Sequence, residues 1–333
     1  MATIRDVAAR AGVSVATVSR VLNENGYVNK ETEQRVRRAI QELNYRPNMV
    51  ARGLANRKTG TIAVILPDIK NPFFSELARA VEDTARAGGF TVIFCNCDDL
   101  GPRQKSYIEV LRQKYIDGII MASNRLEEED VLYMNSNDIP LVVLDRGPGN
   151  GDCAVFRSKN ADGAKLAVRH LLDAGCRKVA HIAGPEELVT ARERLRGYRE
   201  VAGTFPWFDE TLIVPGHFSV DGGKEAVRRL LARHPDVDGI FAGNDLMAIG
   251  ALKALQRMGI GVPEQVALCG FDGVEMTEWT EPELTTVAQP IYEMGAEATR
   301  YLIDRVRGKA EPKATVELDV RLIQRGSTRR ETG

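Results

Sequence analysis

A chain of 333 residues with 44% hydrophobic content can bury the cores of two or three compact units, which excludes a disordered or fibrous protein. No apolar run reaches the roughly 18 to 20 residues that span a bilayer, and no apolar signal core opens the chain, so the expected location is cytoplasmic with no membrane contact. The net charge of -1 hides an uneven distribution: the first sixty residues carry eleven Lys/Arg against five Asp/Glu, a basic head on an acidic body.

In the head, Thr3 with Asp6 three residues on is a helix start signal, and Ile4, Val7 and Ala8 follow at helical spacing, so a first helix runs to about Ala11. Gly12 supplies the tight turn. Ser14 caps a second helix whose Val18, Val21 and Leu22 form an apolar stripe, which leaves Val15, Ala16, Ser19 and Arg20 on the opposite face. Asn29 caps a third helix, Glu31 to Asn44, with Val36, Ile40 and Leu43 turned back on the other two. This pattern predicts a helix-turn-helix, in which the first residues of the second helix reach base edges in the major groove of duplex DNA. Arg20 is the candidate for a two-donor contact to guanine, and Val15 and Ala16 for contacts to thymine methyl groups. The wider candidate set for DNA contact on the head is Thr3, Ser14, Thr17, Ser19, Asn23, Asn29 and Tyr45. A three-helix unit with a merely solvated basic face does not need the turn glycine, the cap serine and the Thr17-Val-Ser-Arg-Val21 run at this spacing.

The run from Thr3-Ile to Val21-Leu-Asn23, with Ala11-Gly-Val-Ser14 at its centre, resembles the head of the lactose/galactose repressor family of bacterial transcription regulators. Pro47 to Asn56 is similar to that family's hinge helix, and the similarity continues to about Arg325. Ten residues are too few for a stable isolated helix, and Gly53 weakens this one further. Ordering is therefore expected when two copies meet on DNA. The resemblance implies that Leu54 wedges into the minor groove at the operator centre, with Ala51 beside it.

From Thr61 onward, short apolar runs alternate with helical patterns: Ile62 to Leu66, Thr91 to Cys95, Gly118 to Met121, Leu141 to Leu144, Val179 to Ile182, Gly239 to Ala242 and Val266 to Gly270. Such alternation specifies α/β layers with doubly wound parallel sheets. Ligands of such sheets bind at the carboxyl ends of strands. There the sequence places Asp68, Asn71, Phe73 and Phe74 after the first run, Asp145 and Arg146 after the fourth, Asn244 and Asp245 after the sixth, and Phe271 and Asp272 after the seventh. Gln289 ends the last apolar run. Planar amides, carboxylates and guanidinium groups alongside aromatic rings suit a sugar, whose hydroxyls need fixed donors and acceptors and whose C–H faces stack on rings. Asp245, at a helix start, reads as a cap rather than a ligand contact.

Other chemistries lack their residues. The five cysteines are odd in number and mostly lie in apolar stretches, the four histidines are scattered, and no metal, cofactor or nucleotide motif occurs. Asp145 and Asp272 could be called paired carboxylates, yet no nucleophile elbow or phosphate loop accompanies them, so no catalytic residue is expected.

The body resembles periplasmic sugar-binding proteins, and within the repressor family its ribose-responsive members. The matching segments are Asn71-Pro-Phe-Phe74, Leu144-Asp-Arg146, Ala191-Arg-Glu-Arg194, Phe218, Gly243-Asn-Asp245, Gly270-Phe-Asp272 and Ala288-Gln289. By that resemblance Asn71, Asp145, Arg146, Arg194, Asn244, Asp272 and Gln289 bond sugar hydroxyls, while Phe73, Phe74, Phe218 and Phe271 enclose the ring. The expectation is a sugar-responsive repressor, D-ribose or a related pentose its effector, acting as a homodimer on a near-palindromic operator and nucleoid-associated when bound. The alternatives are a catabolite-control-type regulator and a repressor for another sugar or a purine. The expected domains are a helix-turn-helix head at 1–46, a hinge helix and linker at 47–60, a two-lobed core at 61–325 and a tail at 326–333. The N-lobe takes about 61–160 and 291–319, and the C-lobe about 161–289 and 320–325. With no leucine heptads after Arg325, a coiled-coil tetramer is not expected.

Overall fold

Among the described residues three helices make the head: α1 (Ile4–Ala11), α2 (Val15–Asn23) and α3 (Lys30–Glu42). The computed structural model describes residues 2–23, 26–45, 59–114, 116–123, 128–145, 153–311 and 314–329. Its chain divides into two units, Met1–Thr59 and Gly60–Gly333.

Each head helix starts on a side-chain cap. Thr3 and Asp6 form a reciprocal capping box, Ser14 Oγ accepts from Thr17 N at 3.1 Å, and Asn29 Oδ1 accepts from Thr32 N at 2.7 Å. Gly12 ends α1 at φ 65°, a left-handed conformation that lets the chain reverse into α2 at little steric cost. Val7, Val18 and Val36, one from each helix, are fully buried together, and each contributes about 1.5–3 kcal/mol of apolar burial. Arg10 bonds Glu42 at 2.7 Å across α1 and α3, an exposed pair of small energetic weight.

The second unit holds two six-stranded sheets. In the N-lobe the order is β11-β5-β4-β3-β1-β2, all parallel, with β1 at Thr61–Leu66, β2 at Thr91–Asn96, β3 at Gly118–Met121, β4 at Leu141–Leu144, β5 at Ala154–Ser158 and β11 at Thr315–Leu318. The C-lobe sheet has the order β12-β10-β9-β8-β6-β7, with β6 at Val179–Ala183, β7 at Ile213–Pro215, β8 at Gly239–Ala242, β9 at Ala267–Asp272, β10 at Thr285–Ala288 and β12 at Arg321–Ile323. Its pairs are parallel except β10 with the edge strand β12. Central strands such as β3, β4 and β8 are buried along their whole length, as helices covering both faces demand.

Helices α4 (Pro72–Ala87) and α11 (Ile291–Val306) pack together on one face of the N-lobe sheet, and α5 (Gly101–Gln113) and α6 (Glu128–Ser136) complete that lobe. The C-lobe sheet lies between the pair α7 (Asn160–Asp173) with α8 (Val189–Ala202) and the pair α9 (Val220–Arg233) with α10 (Asp245–Arg257). Among the described residues the chain passes between lobes after β5, after β10 and after β11.

The expected tail is corrected at its start. Gly326–Thr328 form a short 3-10 turn built into the C-lobe, with Ser327 Oγ donating to Leu268 O at 2.6 Å and accepting from Thr285 N at 2.8 Å. Polar residues conceal such burial in a sequence, because paired hydroxyls need no apolar signature.

Candidate functional site

Strand ends from both lobes converge on one cavity, lined by Asn71, Phe73, Phe74, Asp145, Thr190, Arg194, Phe218, Asn244, Asp272 and Gln289. Asn71 precedes α4 and accepts from Phe73 N at 3.1 Å, and Asn244 precedes α10 and accepts from Met247 N at 3.0 Å. Each lobe thus presents a capping asparagine whose carbonyl is committed to its own helix. Phe73 and Phe74 meet edge to face, 5.0 Å between centroids. Phe218 is seated against Gly184, where an added Cβ would come within 2.3 Å of the ring.

Arg194 organises the C-lobe wall. Buried on α8, it donates Nε to Asn160 Oδ1 at 2.9 Å, and Nη1 to Gly243 O at 2.6 Å and Asp272 Oδ1 at 3.2 Å. Its guanidinium lies 3.9 Å from the centre of the Phe271 ring. Gln289 Nε2 bonds the same Asp272 oxygen at 2.8 Å, and its Oε1 is buried with no protein partner. Burial raises the Asp272 carboxyl above the ordinary aspartate value; the Arg194 cation opposes the rise and the Asp145 charge adds to it. Asp145, Phe218 and Asp272 have φ of 62°, 50° and 118°, sparsely populated for such side chains and costing about 1–3 kcal/mol each. Strain of this kind collects at sites that hold groups in fixed directions.

Of the eleven residues expected to contact effector, nine line the cavity. Arg146 lies outside the described residues. Phe271 is corrected: it is fully buried in the C-lobe core and lies beneath Arg194 rather than at the cavity wall. Successive residues of a strand point to opposite faces, so β9 sends Asp272 toward the cavity and Phe271 away from it. Asp245 is corrected as well, since Asn244 is the cap of α10 and Asp245 is a buried acceptor for Gly273 N, Val274 N and the Thr286 hydroxyl. Sequence reasoning missed Thr190 and Asn160. Asn160 begins the helix after a lobe crossing, and nothing local marks it as the anchor of Arg194, thirty-four residues on.

On the head, Val15 is 42% exposed for an apolar residue, and Ala16 and Arg20 are exposed beside it on α2. Thr17 and Ser19 are half-buried, while Thr3, Ser14 and Asn29 are exposed and occupied as caps. Tyr45 packs at the edge of the head core. Asn23 closes α2, and the hinge residues Ala51 and Leu54 lie outside the described residues.

Among the described residues no cluster of His, Cys, Asp and Glu could hold a metal ion, and no helix is long and apolar enough to cross a membrane.

Comparison with known proteins places the molecule. The model of the lacI family of bacterial regulatory proteins matches residues 3–48, and that of the periplasmic binding protein-like domain matches 168–328. The ribose operon repressor of Halalkalibacterium halodurans is 44% identical over 329 residues, covering 99% of this chain and 98% of its own. The transcriptional repressor PurR of Vibrio atlanticus is 34% identical over 331 residues, covering 99% of each chain. The lac repressor dimer bound to operator and the anti-inducer ONPF superposes with a TM-score of 0.87 at 28% identity, over 98% of this chain and 99% of that one. A regulator of Enterococcus faecalis V583 with bound ribose gives a TM-score of 0.74 at 32% identity, over 80% of this chain and 98% of that one. The chain belongs to the lacI family of bacterial regulatory proteins: it is a DNA-binding transcriptional repressor and not an enzyme.

Proposed function

We propose that this repressor responds to a sugar, D-ribose or a related pentose, which enters the cleft between the lobes and releases the protein from its operator. The observation that carries the reading is the cavity wall: two carboxylates, a guanidinium, three amides and three phenyl rings face one space between the lobes. On this wall the C–H faces of a monosaccharide would stack on Phe73, Phe74 and Phe218 while its hydroxyls donate to Asp145, Asp272 and the buried Gln289 Oε1. The ribose operon repressor at 44% identity and the ribose-bound regulator support the same ligand.

The acting form is a homodimer on a near-palindromic operator, one α2 per half-site, with Arg20 on a guanine and Val15 and Ala16 against thymine methyl groups. The capped starts of α1, α2 and α3 supply N–H groups suited to phosphates. Sugar shifts the lobes toward one arrangement, and only its differential affinity for that arrangement can weaken operator binding.

Titration calorimetry with ribose, arabinose, xylose, glucose, hypoxanthine and guanine, followed by operator binding with and without the tightest ligand, tests the proposal. Ribose should bind most tightly and weaken the operator complex. Purine binding without ribose binding would make this a purine-responsive repressor, in line with the 34% identity to PurR. Operator affinity raised only by a phosphocarrier protein would assign it to catabolite control.

A further inference from the structure

Asp272 ends β9 at the cavity wall, and two residues later Val274, 2% exposed, is embedded in the N-lobe core with Phe73, Phe74, Leu77 and Met294. Met276 continues the segment and packs against the cores of both lobes. Three residues therefore connect a cavity carboxylate of the C-lobe to the interior of the N-lobe. Their backbone has an uncommon shape, with φ of 118° at Asp272 and 80° at Gly273, where an added Cβ would stand 2.5 Å from Ala288 Cβ. One side chain holds that shape. Asp245 Oδ2 accepts from Gly273 N at 2.7 Å and Val274 N at 2.9 Å, and Oδ1 accepts from the Thr286 hydroxyl at 2.6 Å. A Cβ on Gly270 would approach Asp245 Oδ1 to 2.2 Å, so β9 leaves that space for the carboxylate. Asp245 does not line the cavity.

We infer that Asp245 is a positioning residue for the allosteric response, fixing the Asp272–Val274 segment so that a ligand held by Asp272 is felt at the N-lobe core through Val274. The inference rests on the sugar-responsive reading and deepens it by assigning a route. Two short bonds to adjacent N–H groups make the segment a rigid lever, and coupling between lobes requires an element that does not yield when one end is pulled.

The test measures ribose affinity by calorimetry and operator affinity with and without saturating ribose in the full-length protein and three variants. Asp245→Ala should keep ribose-free operator affinity within about threefold of the parent, while the ribose-induced loss of operator affinity shrinks at least tenfold. Asp245→Asn should restore most of the response, because its amide oxygen can accept both N–H groups and its nitrogen can donate to Thr286. Val274→Ala should uncouple in the same way with ribose affinity retained, and it decides the matter together with Asp245→Asn if Asp245→Ala does not fold. A full response in Asp245→Ala or Val274→Ala, or no rescue by asparagine, overturns the inference. A parent protein that ignores ribose counts against the effector assignment instead. The segment is then judged by hydrogen exchange alone: unprotected Gly273 and Val274 amides in Asp245→Ala support the lever, and protected ones overturn it.

Discussion

Arg194 and Asp272 show how little of the site's polarity is left to solvent. Arg194 is held by Asn160, Gly243, Asp272 and the Phe271 face at once, so its guanidinium is positioned before any ligand arrives. Asp272 carries a carboxyl that burial holds above the ordinary aspartate value of 3.8. Sugar hydroxyls donate best to the ionised form, so protonation competes with binding. Ribose affinity is therefore expected to be full at neutral pH and to fall as pH drops through that raised value, in a window above an ordinary aspartate's, by at most about tenfold per unit. Calorimetry across that range checks it, and a flat profile would show that Asp272 does not meet the ligand as a carboxylate. Gly184 gives a second expectation. Gly184→Ala drives the Phe218 ring toward the cavity, because the new methyl would stand 2.3 Å from it, and ribose affinity should weaken at least about tenfold, or 1.4 kcal/mol.

Strand β6 carries a buried histidine in the C-lobe core. His181 is stacked between Tyr198 and Phe241, with centroids 5.1 and 4.7 Å away, and Nδ1 lies 3.0 Å from Phe241 O, a pairing that fixes the neutral ring with its proton on that nitrogen. Burial lowers its pKa from 6.5 to about 4. The unfolded chain then takes up this proton first, so the contribution is complete above 6.5 and is lost as pH falls toward about 4, roughly 3 kcal/mol in all. His181→Phe keeps the stack and removes the titration. Its thermal midpoint should depend less steeply on pH across that window, and an unchanged slope would mean that other groups set the acid sensitivity.

The molecule consists of a head and a core that each have their own buried apolar cluster. Two transitions are expected in a calorimetric scan, and a ligand confined to the core should raise only one. At a hundred times its dissociation constant, ribose adds about 2.7 kcal/mol to the core, a shift of about 5 °C for a unit of this size. A single transition moved as a whole would show that head and core melt together. The exit of the chain toward the head is itself fixed inside the core: Asp117 Oδ2 accepts from Gly60 N at 2.7 Å, and Gly60 O accepts from Thr91 N at 2.8 Å.

The sequence by itself determined what is local and periodic. Caps at Thr3, Ser14 and Asn29, the turn at Gly12 and the stripes of the head are contacts within a few residues, so spacing alone discloses them. Asn71, Asp145, Asn244, Asp272 and Gln289 were legible because each follows an apolar run, and parallel sheets gather such positions at one edge, whereas Arg194 was reached only through the family resemblance. What only the tertiary structure decided depends on which surfaces meet. It turns Phe271 into the floor under Arg194, brings Thr190 into the cavity, makes Asn160 an anchor and Asp245 a brace, and folds Ser327 and Thr328 into the C-lobe. Each of these rests on contacts between residues far apart in the chain. A buried polar group with its partners satisfied leaves no periodic trace in a sequence.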